Sequence, residues 1–224
     1  MIVKVVIPAL NEEASIGLVL DALPRADFEG VFVVDNGSTD ATAEVARAHG
    51  ATVVSEPARG YGAACLAGIA AVGECDVVAF IDADYSDSPE EMTLVLEPLR
   101  RDDADLVIGT RMVRGDSRRA LLPQARFGNR LAAFLLRVLY RGRATDLGPF
   151  RAIRREALAR LEMDDRDFGW TVQMQARAFR LGLRVVEVPV SYRERVGVSK
   201  ITGTVSGTFK AGFKILWTLA RELR

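Results

Sequence analysis

The sequence predicts an α/β protein with a mostly parallel central sheet flanked by helices. Short β-branched apolar runs alternate along the chain with longer stretches of helical periodicity. The runs are almost continuously apolar, as strands covered on both faces must be. A further observation gives the sheet a functional edge: three of the runs end in clustered Asp, Asn, Glu or Pro, and open parallel sheets collect ligands at the carboxyl ends of their strands.

In chain order, strands are expected at residues 2–7, 31–35, 52–55, 77–81 and 106–109, with helices at 12–22, 40–49, 61–72 and 89–100 between them. Asp40 is suited to cap the second helix and Gly50 to close it. Beyond residue 110 the alternation loosens into an Arg-rich stretch, a helix at 127–140, a strand at 149–153, a helix at 170–180, a strand at 183–188 and a C-terminal helix from about residue 204. No repeat, linker or low-complexity segment interrupts the pattern, so residues 1–224 are expected to form one domain.

Composition narrows the function classes. Lys and Arg total 30 and Asp and Glu total 30, so no bulk positive charge is available to grip nucleic acid. Cys65 and Cys75 are too few for a disulfide framework or zinc site, which points to a reduced cytoplasmic compartment. No apolar run reaches the ~18 residues of a membrane span, and no basic segment precedes the first strand, so no signal peptide is expected. The single histidine, His49, reads as a helix C-cap and leaves little room for histidine-based catalysis.

The candidate chemistry lies at strand ends. The first strand runs into Pro8-Ala9-Leu10-Asn11-Glu12-Glu13, the second into Asp35-Asn36-Gly37-Ser38-Thr39-Asp40, and the fourth into Asp82-Ala83-Asp84. Two carboxylates separated by one small residue repel each other unless a cation or a solvated ligand engages them. Hard divalent cations, Mg²⁺ or Mn²⁺, take such oxygens together with substrate phosphates. These features point to a metal-diphosphate site.

This ordered set resembles the family 2 glycosyltransferases of the GT-A fold, a single Rossmann-like domain with a mostly parallel sheet. The likeness continues through Gly109-Thr110-Arg111, Gly148-Pro149-Phe150-Arg151 and Arg195-Val196-Gly197-Val198-Ser199-Lys200, which are similar to the dolichyl-phosphate mannosyltransferase and polyprenyl-phosphate glycosyltransferase branch. The resemblance implies a nucleotide-sugar donor half at 1–110, an acceptor half at 111–203 and an amphipathic helix at 204–224. It implies that Pro8, Leu10, Glu12 and Asp35, with Ala9, Asn11 and Asn36 beside them, hold the donor. Asp82 and Ala83 would lie against the nucleotide, and Asp84 would ligate the metal. Many branch members carry a metal-shell glutamine where this chain has Ser86, so Ser86 is the second metal candidate. The stretch 59–64 matches a donor-side loop, in which Gly62 allows close backbone approach and helix packing accounts for it equally well. Arg195 and Lys200 bracket Gly197 in a segment suited to close over the donor diphosphate.

Six arginines against one acid, Asp116, occupy residues 111–130, as a phosphate-bearing acceptor would require. By resemblance Arg111, Arg126 and Asn129, with Arg151, would hold the phosphate of a polyprenyl-phosphate acceptor. Such a phosphate is already an anionic nucleophile and needs no strong base; a hydroxyl acceptor would need a carboxylate, for which Asp146 and Asp167 are the candidates. The C-terminal helix carries an apolar face that suits either core packing or a peripheral membrane contact. The implied enzyme inverts the anomeric carbon of a hexose from a donor of the GDP-mannose or UDP-glucose type; the departures at Ser86 and Gln173 leave a nucleotide-sugar-binding homologue without turnover as the alternative.

Overall fold

The computed structural model describes residues 1–121, 123–197 and 205–223, the last stretch with side chains from 212 onward. The N-terminal part alternates strand and helix: β1 (Val3–Ala9), α1 (Ile16–Ala22), β2 (Gly30–Asp35), α2 (Thr42–Ala48), β3 (Thr52–Ser55), α3 (Tyr61–Ala71), β4 (Val77–Phe80) and α4 (Met92–Arg100). Then come β5 (Leu106–Thr110), α5 (Gly115–Ala120), α6 (Pro123–Tyr140), β6 (Arg151–Arg154), α7 (Arg155–Leu161), α8 (Trp170–Arg180), β7 (Val185–Pro189) and α9 (Val205–Arg221).

The strands form one seven-stranded sheet in the order β3-β2-β1-β4-β6-β5-β7. β6 runs antiparallel to both β4 and β5, and every other neighbouring pair is parallel. The apolar runs are unbroken because both faces are covered. Val5 and Ile7 of β1 pack with Ile16, Val19 and Leu20 of α1 and Met92, Leu96 and Leu99 of α4; Val6 packs with Cys65 of α3 and with Trp170 and Met174 of α8 on the other face. A third cluster, including Leu136 and Tyr140 of α6, Val172 and Ala176 of α8 and Leu219 of α9, seats the last helix. Parallel registers bring Ala9 opposite Asp35 and Val6 opposite Phe80, so the polar ends of β1, β2 and β4 meet at one sheet edge.

Differences from the expected elements have local causes. The first helix starts at Ile16 because residues 12–15 form a turn in which Ser15 and Ile16 donate their amides to the Glu12 carbonyl. Asp40 accepts the Thr42 amide at 3.0 Å, and Gly50, at φ +81°, closes α2 as expected. His49 is the C-cap residue of α2 as expected, through its backbone amide, while its ring bonds Asp21 of α1 at 2.7 Å. α5 and α7 escape pattern reading: α5 is a single polar turn, and α7 follows β6 without a break and ends at Glu162 in the left-handed region. The expected start of the last helix at 204, and Lys200, lie outside the described residues.

Candidate active site

A cavity of about 390 Å³ opens at the edge where β1, β2 and β4 end. Pro8, Ala9, Leu10, Glu12, Asn36, Asp82, Ala83, Asp84, Asp167 and Arg195, all expected from the sequence, line it. Arg59, Gly60, Tyr61 and Ala64, from the stretch expected as a donor-side loop, line it as well, and so does Phe168, to which sequence reasoning assigned no role. The signal for Tyr61 was its position at a helix start behind Gly60; Phe168 is brought in by tertiary approach alone.

Asp82 is half-buried, and its Oδ1 accepts the Tyr61 hydroxyl at 3.0 Å. Burial and the neighbouring Asp84 charge push its carboxyl up to about 7. Asp84 Oδ1 accepts both the Ser86 amide at 2.9 Å and the Ser86 hydroxyl at 2.6 Å. Its Oδ2 faces Arg195 Nη1 at 3.3 Å, and Arg195 Nη2 reaches Glu12 Oε1 at 2.7 Å. The segment carrying Arg195 lies along this acidic loop: Arg193 donates its amide to Ser86, and Val196 donates its own to Asp84. The guanidinium thus bridges two acidic strand ends from a segment distant from both in sequence. Among the described residues, no three Asp, Glu, His or Cys side chains converge into a metal site of their own. The oxygens of Asp84 and Ser86 suit a hard cation that completes its shell with substrate phosphate.

Several expected donor residues serve the framework around the cavity. Asn11, at φ +54°, and Asp35 hold the loops after β1 and β2: Asn11 accepts the Thr39 amide at 2.7 Å and Asp35 accepts the Ser38 amide at 2.9 Å. Neither lines the cavity. Asn36 fastens the following loop by donating to the Glu56 and Ala58 carbonyls and accepting the Gly60 amide. Gly62 does permit a close backbone approach, but to the chain itself: a Cβ there would lie 2.0 Å from the Asp165 carbonyl oxygen. That approach brings residues 165–168, and so Asp167 and Phe168, to the cavity rim.

On the acceptor side the structure reorders the expected set. Asp146 is fully buried and accepts the Arg111 amide, Nε and Nη2 at 2.7–2.8 Å and Asn129 Nδ2 at 2.7 Å. Burial alone would raise its carboxyl, but the Arg111 charge and hydrogen bonds outweigh that and hold it below its ordinary value. A carboxylate so committed is a poor proton acceptor; it orients Arg111, which also lies 5.0 Å over the Tyr192 ring. Arg126 is half-exposed on α6 and lines no described cavity. Arg151 does not face an acceptor: it is wholly buried beneath Trp170 and gives its donors to the Leu147, Gly148 and Thr171 carbonyls. Asp87, next to the acidic loop, has both carboxylate oxygens buried without a hydrogen-bond partner, and burial pushes its carboxyl well above the usual range.

Comparison with known proteins follows the same lines. The sequence model of glycosyl transferase family 2 matches residues 4–162. An uncharacterised glycosyltransferase of Mycobacterium tuberculosis is 42% identical over 93% of this chain and 94% of its own. An undecaprenyl-phosphate mannosyltransferase of Micrococcus luteus is 34% identical over 92% of this chain and 90% of its own. Among solved structures, glucosyl-3-phosphoglycerate synthase from Mycobacterium tuberculosis, in complex with Mn²⁺, UDP and glucosyl-3-phosphoglycerate, superposes with a TM-score of 0.80. It is 28% identical, and the match covers 99% of this chain and 79% of that one.

Proposed function

The chain belongs to glycosyl transferase family 2 and is a glycosyltransferase of the GT-A fold, and from that premise we propose that it transfers a hexose from a nucleotide sugar to a polyprenyl phosphate with inversion. The observation that carries the reading is the cavity itself, in which an apolar floor from Pro8 to Leu10 leads to Asp82 and Asp84 beneath the cationic Arg195. Such a site has a place for a nucleoside and, at its charged end, for a diphosphate.

In this reading Pro8, Ala9 and Leu10 hold the base, and Asp35 and Asn36, with Asn11, keep the ribose side in shape. Asp82 and Ala83 lie against the nucleotide. Asp84, with the Ser86 hydroxyl, would hold Mg²⁺ or Mn²⁺, whose charge would offset that of the diphosphate leaving group. Arg195 leaves its Asp84 and Glu12 partners in part to face the donor diphosphate. Asp146, itself held by Asn129, occupies Nε and Nη2 of Arg111, and the remaining Nη1 side of the guanidinium binds the acceptor phosphate, with Arg126 adding charge at the approach. A phosphate monoester has its second pKa near ~6 and is already anionic at neutral pH, so no proton need be removed. Its oxygen forms a bond to the anomeric carbon as the bond from that carbon to the diphosphate breaks on the opposite face. The acceptor assignment is supported by the name of the Micrococcus relative, which aligns over nine-tenths of both chains. The enzyme would act at the cytoplasmic face of a membrane.

A hydroxyl acceptor is the second reading, favoured by the glucosyl-3-phosphoglycerate bound in the structural relative and by Asp167 at the cavity rim. There Asp167 would be the base, since Asp146 is fully engaged.

Thermal unfolding with UDP and GDP, each with and without Mn²⁺ or Mg²⁺, tests the donor site. A nucleotide at about a hundred times its Kd adds roughly 2.7 kcal/mol. One nucleotide should stabilise only with metal, and Asp84→Ala should abolish the shift. No shift with any nucleotide would overturn the donor assignment. Labelled sugar passing into the organic phase only when polyprenyl phosphate is present separates the two acceptors; label appearing instead on phosphoglycerate would overturn the first.

A further inference from the structure

Helix α6 has three faces, and none of its described residues lines the nucleotide cavity. Asn129, Ala132, Leu136 and Tyr140 point into the protein. Phe127, Leu131, Phe134 and Val138, spaced i, i+4, i+7, i+11, form a second apolar stripe on the solvent side, and they are 70, 37, 60 and 58% exposed. Arg126, Arg130 and Arg137 run between the two as a third stripe. A surface helix of a globular protein buries one apolar face and presents polar residues on the other; an outward row of two phenylalanines, a leucine and a valine departs from that rule and marks a docking surface. Helix α9, which packs beside α6 through Leu219 and Tyr140, repeats the arrangement. Its Lys214 and Glu222 turn inward to Asp165 and Arg177, while Phe213 and Trp217 stay 71 and 58% exposed.

We infer that this face is a docking surface for an anionic lipid bilayer. Charge identifies the partner. Residues 111–143 hold nine arginines and a single acid, Asp116, in a chain whose net charge is zero, so the positive charge is concentrated around the apolar stripe. A cavity of about 380 Å³ opens beside that stripe, lined by Arg118, Arg130 and Arg137 together with Phe134, and has the size and charge for a lipid headgroup phosphate. Aromatic and aliphatic side chains flanked by arginines lie in the interfacial plane of a membrane, the rings among the acyl chain ends and the guanidinium groups at the phosphates. Among the described residues no helix is long and apolar enough to cross a membrane. The surface stands on its own exposure and charge. The lipid-acceptor reading gives it a use, since the base of α6 leads to Arg111 through Asn129 and Asp146.

Cosedimentation with vesicles lacking any polyprenyl phosphate tests the surface apart from the acceptor. The intact chain should bind phosphatidylcholine–phosphatidylglycerol vesicles, bind phosphatidylcholine alone weakly, and be released by high salt. Phe127→Ser/Phe134→Ser and Arg130→Glu/Arg137→Glu should each weaken binding by about tenfold or more. Both variants should keep the nucleotide-and-metal thermal shift, which shows that they fold. Absence of binding to the anionic vesicles, or unchanged binding by both variants, overturns the proposal. So does a dimer in light scattering that the phenylalanine variant dissolves, which would assign the face to a second copy of the chain.

Discussion

At the scale of single residues, the most consequential pair is Arg111 and Asp146. The carboxylate is fully buried and its charge is balanced by one guanidinium that is itself nearly buried. Breaking a buried pair from one side leaves an uncompensated charge, typically at a cost of 3–5 kcal/mol, while removing both charges together is much less harmful. Arg111→Leu should therefore destabilise by about 3–5 kcal/mol in urea unfolding, and Arg111→Leu/Asp146→Asn should recover a substantial part of that loss. Arg111→Lys keeps the charge but loses the fork, so its cost should fall between. Additive losses in the double variant would show that the two side chains are not a coupled unit. The pair also shows where sequence reading of the site stops. Arg111, Asp146 and Asn129 were each recognisable by motif, but that the acid and the amide serve the arginine depends on burial and on hydrogen bonds between residues 17 and 35 positions apart. Arg151 illustrates the opposite failure: a motif arginine looks like an anion ligand until its backbone carbonyl partners are seen. Asp82 and Asp84 were legible because two carboxylates at the end of a wholly apolar strand have no packing explanation.

At the scale of elements, the strands of the first 110 residues were legible because burial on both faces leaves a period-free apolar run. β6 was expected as a strand at 149–153 but not its antiparallel direction, and the helices α5 and α7 were not legible, since their short, arginine-rich sequences carry no clear period. Helix α9 is held by charge as much as by apolar packing. Burial pushes the Glu222 carboxyl up, yet hydrogen bonds from Arg177, Gln173 and Arg221 outweigh it and bring the group down to about 2. A carboxyl with a depressed folded-state pKa contributes stability that is fully present above its unfolded pKa of ~4.3 and is lost as pH falls through the folded value. The expected outcome is a fall on the order of 2 kcal/mol between about pH 4.5 and pH 2 that Glu222→Gln lacks. Paired denaturation curves of the wild type and the variant across that window measure it. Parallel curves would mean that the arginines around Glu222 do not set the attachment of α9.

At the scale of the whole molecule, the sheet order joins two kinds of surface. β1, β2 and β4 bring their ends to the nucleotide cavity, and the inserted antiparallel β6 separates them from β5, which leads into Arg111 and the arginine-rich helices. Two described segments cross back: residues 165–168, which reach the cavity rim against Gly62, and residues 193–197, whose Arg193 and Val196 amides and Arg195 guanidinium attach to the acidic loop after β4. Donor binding should therefore order the first surface and the returning segment 193–197 while leaving the second surface much as it was. Hydrogen exchange by mass spectrometry can read this directly, because local opening differs between elements in one native molecule. With the stabilising nucleotide and Mn²⁺, protection should rise at residues 8–12, 82–86 and 193–197 and stay unchanged across 111–140. Anionic vesicles without nucleotide should do the reverse, protecting α6 and leaving residues 82–86 exchanging as before. Protection of α6 by nucleotide alone would instead mean that the two surfaces respond as one rigid unit, and the division of the molecule into donor and acceptor halves would have to be abandoned.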